Sequence, residues 1–260
     1  MDLERTAELA ARIAVLPSAG STNDELVARA GGADPWPHLS VVATDDQTAG
    51  RGRRGRVWSA PAGTSLAASV LLRPTLPADA LGWVPLLTGL AVTRTLRRLG
   101  AEASLKWPND VLIGERKVCG ILAELLPGGG GVVVGVGINL TLTADELPVP
   151  TATSLALEGV SADADTVLAG VLGDLTGLLD ALVAADGDPD RSGLRAAVMA
   201  ACSTLGRAVT VELPSGELLR GTAAGLGADG RLEVRPDAAS PGLDPKIVSV
   251  SAGDVTHLRY

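Results

Sequence analysis

The chain has 260 residues, with 22 Lys or Arg against 30 Asp or Glu and a net charge of -8. That balance argues against a protein whose whole surface binds nucleic acid or anionic membrane. A composition that is 46% hydrophobic and only 20% charged argues against disorder. Aromatic residues make up 2%, so the core is built from Leu, Val and Ala, and only three of the basic residues are lysines.

Length fits a domain of about 200 residues plus a small one, or two domains. Cys119 and Cys202 are too few for a disulfide scaffold, and with His38 and His257 they show no metal-ligand spacing. The N-terminus, MDLERTAELAARIAVL, has acids where a signal peptide has a basic start. The longest uncharged run, Leu125 to Ala144, holds Pro127 and six glycines, which suits a turn and a buried strand rather than a membrane helix. A soluble, cytoplasmic protein is expected.

In chain order, a short N-terminal helix precedes a strand in RIAVLPSAG. Thr22 and Glu25 have capping-box spacing and predict a helix running to Gly31-Gly32. Strands follow at 39–44 and 65–72, and helical spacing over 80–99 despite Pro85. SLKWP, VLI, KVCGILAEL and VVVGVGINL read as short strands, with Gly128 to Gly131 as a tight hairpin connection. Apolar positions from Val167 to Val183 predict a long helix, and a second helix is expected over roughly 191–203. From Gly206 onward, short segments alternate with Gly, Pro and Asp. The expected organisation is an α/β catalytic domain over 1–205 and a small all-β domain over 206–260.

Three segments carry chemistry. Gly50-Arg51-Gly52-Arg53-Arg54-Gly55-Arg56 puts four arginines and three glycines in seven residues. Glycine lets backbone approach an anion closely, and guanidinium forks match carboxylates and phosphates. A solvated loop or an arginine-glycine nucleic-acid tract are the other readings. Such tracts normally repeat and interleave aromatics, and this one does not. Lys106-Trp107-Pro108-Asn109-Asp110 and Lys117 place two of the three lysines at strand ends. Compact ammonium groups there would contact single oxygens, while Asn109-Asp110 could form a turn, orient a ligand or hold hydrated magnesium. Gly135-Val136-Gly137-Ile138-Asn139 lacks the third glycine and following helix of a dinucleotide fingerprint. Small residues at a strand end could instead let a flat ligand lie against the backbone, or merely pack a bent strand.

In order and spacing, Ser21-Thr22-Asn23, Gln47 through Arg53, Trp58, Lys106 through Asp110, Lys117 through Leu122 and Gly135 through Asn139 resemble biotin protein ligases. The resemblance implies an α/β (α+β) fold, with a mixed-sheet catalytic domain like that of class II synthetases and a C-terminal SH3-like β-barrel. It also implies the monofunctional type, without the family's DNA-binding domain. The activity implied is ATP-dependent formation of biotinyl-5'-AMP, then transfer of biotin to a lysine of a biotin carboxyl carrier domain in an acyl-CoA or pyruvate carboxylase. ATP and Mg²⁺ would be required, and a monomer or weak homodimer that binds neither DNA nor membrane is expected.

Residue by residue, the resemblance assigns catalysis to Lys117, Arg51 and Arg53. Biotin would be met by Ser21, Thr22, Asn23, Gln47, Gly50, Arg51, Gly52, Arg53, Lys117, Gly120, Leu122 and Gly135. ATP or the adenylate would be met by Arg54, Arg56, Trp58, Lys106, Asn109, Asp110, Asn139 and Arg259, with Asp110 also able to position Mg²⁺. Residues 50–56 would order over the adenylate. Lipoate or octanoate transferases share the fold, but GRGRRGR and KWPND favour biotin and ATP.

Overall fold

Apolar runs punctuated by Gly, Pro and Asp fold as the strands of two large sheets, beside a small two-stranded one. The computed structural model describes residues 1–213, 217–237 and 246–251, together with the backbone of 254–257. The larger body comprises α1 (Glu4–Leu9), β1 (Arg12–Val15), α2 (Thr22–Ala30), β2 (Ser40–Thr44), β3 (Gly50–Arg51), β4 (Val57–Trp58) and β5 (Ser65–Leu72). It continues with α3 (Val84–Arg98), β6 (Ala103–Lys106), β7 (Asp110–Ile113), β8 (Arg116–Leu125), β9 (Val132–Asn139), α4 (Ala164–Ala184) and α5 (Leu194–Ala201). Seven strands form one mixed sheet in the order β1-β2-β5-β9-β8-β7-β6, in which β1 and β2 pair in parallel. This is the mixed α/β architecture the sequence predicts.

Strand alternation divides the core between the two faces. Leu66, Ala68, Val70 and Leu72 of β5 join Val134, Val136 and Ile138 of β9 under α3 and α4. On the opposite face, Val42, Leu71 and Val133 pack against Leu26 and Ala30 of α2 and against Trp36. All eight residues of β5 are buried, as expected of a strand covered on both sides. Helix α4 is long and apolar enough to cross a membrane, but Val167, Leu168, Val171, Leu172 and Leu175 are buried in the core shared with α3.

Three boundaries differ from expectation for local reasons. Residues 80–83 form a 3₁₀ turn, and α3 starts at Val84 with Pro85 in its first turn, where a missing N–H costs nothing. The Thr22–Glu25 capping box does not form. Ser21 is the N-cap, and Thr22 spends its hydroxyl on Gln47 instead. Helix α5 spans only Leu194–Ala201, because the Asp188 carboxylate accepts N–H bonds from Asp190 and Arg191 and holds that stretch as a turn.

The second sheet is antiparallel, ordered β13-β12-β11-β10-β14. Its strands are β10 (Ala208–Glu212), β11 (Leu218–Leu226), β12 (Leu232–Pro236), β13 (Val248–Val250) and β14 (Asp254–His257). Among the described residues no pairing joins β13 to β14. Val209, Val211, Leu219, Leu232 and Val234 are buried in a core continuous with that of the larger body.

Candidate active site

The α2 face of the sheet changes character beyond the N-terminus of the helix. Under the helix body the cross-strand pair is Leu71 and Val133. One step along the same face it becomes Ser69, Gly135 and Leu122, and the next step is Ala67, Gly137 and Gly120. Side chains shrink just where α2 ends, and the missing volume is a cavity of about 130 Å³.

Glycine is required in this floor. A Cβ on Gly135 would collide with the Asn23 amide, and one on Gly137 would lie 2.5 Å from the Trp58 ring. At Gly120 it would sit 3.0 Å from Lys117 Nζ.

One wall is a polar cluster delivered by the start of α2. Ser21, Thr22 and Asn23 are each at most 6% exposed. Gln47 Oε1 accepts from Thr22 N at 2.9 Å. Ser69 Oγ lies 2.8 Å from Thr22 Oγ1 and 2.6 Å from Asn23 Oδ1. The Asn23 amide donates to Glu124 Oε2 at 2.7 Å and to Leu122 O at 3.2 Å. Thr22, Asn23 and Gln47 are thus each oriented by another group, which fixes their rotamers.

The opposite wall is the arginine segment, folded as a small hairpin. Strands β3 and β4 pair Gly50 with Trp58 and Arg51 with Val57. A Cβ at Gly50 would strike the Trp58 carbonyl and lie 2.5 Å from Gln47 Nε2. Gly52 N donates to Arg56 O at 2.7 Å, and the turn uses positive φ at Arg54 and Gly55. Arg51 forks onto Glu124 at 2.7 and 2.8 Å and reaches Asp24 at 2.5 Å. The bond to Glu124 raises the already high pKa of that guanidinium, against a smaller opposing effect of burial. Arg53 donates to Asn109 Oδ1 at 3.2 Å, and Asn109 is locked by its own bond to Ile121 O at 2.8 Å.

At the floor's far end, Lys117 Nζ lies 2.7 Å from Asp110 Oδ1 and 5.6 Å from the centre of the Trp58 ring. The Lys117–Asp110 contact is ionic by distance, yet Asp110 Oδ1 has no directed hydrogen-bond donor. The buried Trp58 indole N–H is likewise without an acceptor. Cys119, behind this floor, is fully buried and its thiol is pushed far up by burial, so it is inert packing.

The inner cavity opens past Arg51, Gly52, Arg53, Arg56 and Asn109 into an outer cleft of about 1090 Å³. Gly50, Arg54 and Trp107 line this cleft, as do Asp229, Gly230 and Arg231 from the second sheet. The fold therefore gathers the polar triplet, Gln47, the arginine segment, Trp58, Asn109, Asp110, Lys117, Gly120, Leu122 and Gly135 around one continuous space.

Two predicted residues stand apart. Lys106 ends β6 opposite Asp110 and lines neither space. Asn139 is buried and its amide donates to Thr153 O at 2.8 Å, so it holds a loop rather than facing the cavity. Arg259 lies outside the described residues. Sequence reasoning missed Ser69 and Glu124. Only strand register puts them on the cavity face, although a serine inside the apolar run SLAASVLL was a usable signal.

Residues 16–140 match the biotin/lipoate A/B protein ligase family, and residues 204–258 match the biotin protein ligase C-terminal domain. The chain is 38% identical to a biotin–[acetyl-CoA-carboxylase] ligase of Mycobacterium tuberculosis, over 94% of this chain and 88% of that one. Identity to the bifunctional ligase/repressor BirA of Escherichia coli is 42%, over 44% of this chain and 35% of that protein. Among solved structures, the biotin protein ligase of Aquifex aeolicus in complex with biotin and ATP superposes with a TM-score of 0.76. That match has 26% identity and covers 96% of this chain and all of the other.

Proposed function

The chain belongs to the biotin protein ligase family, and on that premise we propose that its two connected spaces activate biotin with ATP and pass it to a carrier lysine. The observation that carries this reading is the floor of Gly120, Gly135 and Gly137 between an oriented polar cluster and a cluster of arginines with Lys117. A flat, polar ring system fits the glycine floor and the Ser21–Thr22–Asn23–Gln47 wall. Its carboxylate chain then emerges where Arg51, Arg53 and Lys117 converge, and the outer cleft takes the nucleotide.

In the first step a biotin carboxylate oxygen attacks the α-phosphorus of ATP. The bond from that phosphorus to the β-phosphate oxygen breaks, and pyrophosphate leaves. Two anions must meet, so this chain's task is to cancel repulsion and to stabilise charge on the phosphoryl oxygens. Lys117 does so from the floor of the inner cavity and Arg53 from the opening between the two spaces, aimed by Asn109. Trp58 and the arginine hairpin exclude water from the anhydride. In the second step a lysine amine of the carrier attacks the biotinyl carbonyl, AMP leaves with the electron pair, and the nitrogen loses a proton.

Among the described residues no three His, Cys, Asp or Glu side chains converge as a metal cage. Asp110 offers a single carboxylate whose Oδ1 already lies 2.7 Å from Lys117 Nζ, so magnesium would be held mainly by substrate phosphates. When bound there, the ion would neutralise phosphate charge beside Lys117.

The division at 205/206, the cytoplasmic setting and a biotin carboxyl carrier domain of an acyl-CoA or pyruvate carboxylase as acceptor belong to the same reading. The test mixes the protein with biotin, ATP, Mg²⁺ and such a carrier domain, then weighs the carrier. A gain of one biotinyl group that needs both small substrates is expected. No gain, with lipoate accepted in place of biotin, would overturn it.

A further inference from the structure

Two of the four tryptophans do not line the inner cavity and are almost fully buried: Trp83 is 0% and Trp107 2% exposed. They come from different parts of the larger body, the turn before α3 and the β6–β7 connection. Both spend their single polar atom on the same short turn of the second sheet. Trp83 Nε1 donates to Ala228 O at 2.7 Å, and Trp107 Nε1 donates to Gly230 O at 3.0 Å.

This turn joins β11 to β12 and is internally closed. Gly227 N donates to Arg231 O at 2.9 Å, and Gly230 N donates to Gly227 O at 3.1 Å. It also fits tightly against the larger body. A Cβ on Gly82 would lie 2.7 Å from Asp229 O, and one on Gly230 (φ +79°) would lie 3.1 Å from Leu86 Cδ1. With carbonyls 228 and 230 fixed to the larger body, Asp229 and Arg231 both line the outer cleft. Asp229 braces its neighbour, with Oδ2 at 2.9 Å from Arg231 Nε and Oδ1 accepting from Arg231 N at 3.2 Å.

We infer that this turn is a wall of the nucleotide half of the cleft, that Trp83 and Trp107 are its positioning residues, and that Arg231 meets the polyphosphate. Packing alone would be served by Leu or Val, which together fill most of this core. An indole adds a directed N–H that a carbonyl can accept at one place only. The second sheet thereby contributes to the reaction through this turn rather than through a pocket of its own. The inference rests on reading the outer cleft as the nucleotide half.

The test measures three quantities in the full chain: KM for ATP in biotin-dependent pyrophosphate release, Kd for biotin without ATP by calorimetry, and melting temperature. Trp83→Phe/Trp107→Phe removes both N–H groups and keeps ring packing. It should raise the KM for ATP about tenfold while the biotin Kd stays unchanged. Gly82→Ala, which pushes on Asp229 O from the larger body, should move the KM for ATP in the same direction. Arg231→Ala should raise the KM for ATP several-fold with no change in melting temperature. An unchanged KM for ATP in both the tryptophan pair and Arg231→Ala, even with lowered melting, would overturn the inference and leave the indoles as structural only. A parent that releases no pyrophosphate with biotin and ATP would instead overturn the ligase reading beneath it.

Discussion

The two walls of the inner cavity solve opposite problems with different physics. The wall from the start of α2 is neutral, buried and internally hydrogen-bonded, with Thr22 and Asn23 aimed through Gln47, Ser69 and Leu122 O. The arginine hairpin is charged and partly exposed, and its ties are ion pairs such as Arg51 to Glu124 and Asp24. Neutral recognition gains from rigidity, because a site that keeps its polar groups in place loses little entropy on binding. Charge cancellation tolerates adjustment, since exposed ion pairs are individually weak and can be exchanged for a ligand anion.

Removing the floor ammonium should have the largest effect. Lys117→Ala deletes a charge-assisted contact worth roughly 1.5–3 kcal/mol, so adenylate formation should fall about ten- to a hundredfold. Pyrophosphate release checks this, with biotin Kd measured alongside.

Next comes the rigid side. Gly135→Ala forces a Cβ into Asn23, and overpacking of this kind costs about 1–3 kcal/mol. Biotin affinity should drop about tenfold while the KM for ATP stays near that of the parent. Equal losses for both substrates would mean that the walls are not separate.

A smaller effect is expected on the adjustable side. Glu124→Gln keeps an acceptor for Asn23 but releases Arg51 from a competing carboxylate. Biotin should bind about two- to fivefold more tightly, as suits an ion pair worth under about 1 kcal/mol. Weakening by calorimetry would assign Glu124 to the rigid wall instead.

The smallest catalytic effect belongs far from both walls. Asp163 caps α4 by accepting Thr166 N at 2.6 Å, and that bond holds its carboxyl below the ordinary pKa of 3.8. A depressed carboxyl stabilises the fold above its unfolded pKa, and the contribution fades as pH falls through the folded value. Asp163→Ala should cost about 1 kcal/mol at neutral pH with unchanged kinetics, the melting difference closing in acid.

Much of this was legible in the sequence, because local signals dominate strands and turns. The strand 65–72 was read with its observed bounds, and the glycines at 120 and 135 mark the floor. What escaped depends on partners distant in sequence. Thr22 and Glu25 satisfied a capping pattern locally, but Gln47, 25 residues away, claimed the threonine. Glu124 and Ser69 entered through cross-strand register, and Asn139 left through a competing carbonyl at Thr153. Trp107 sits in the motif that carried the resemblance, yet its indole serves the second sheet, a role that no spacing encodes.

The central claim is that Lys117, on the floor of the inner cavity that opens past the arginine hairpin into the outer cleft, drives carboxylate activation. The most direct measurement is the mass of a biotin carrier domain after incubation with biotin, ATP, Mg²⁺ and either parent or Lys117→Ala. The account predicts one added biotinyl group with the parent and, at matched early times and concentrations, labelling by the variant lower by about ten- to a hundredfold. Equal labelling by the two proteins would contradict it.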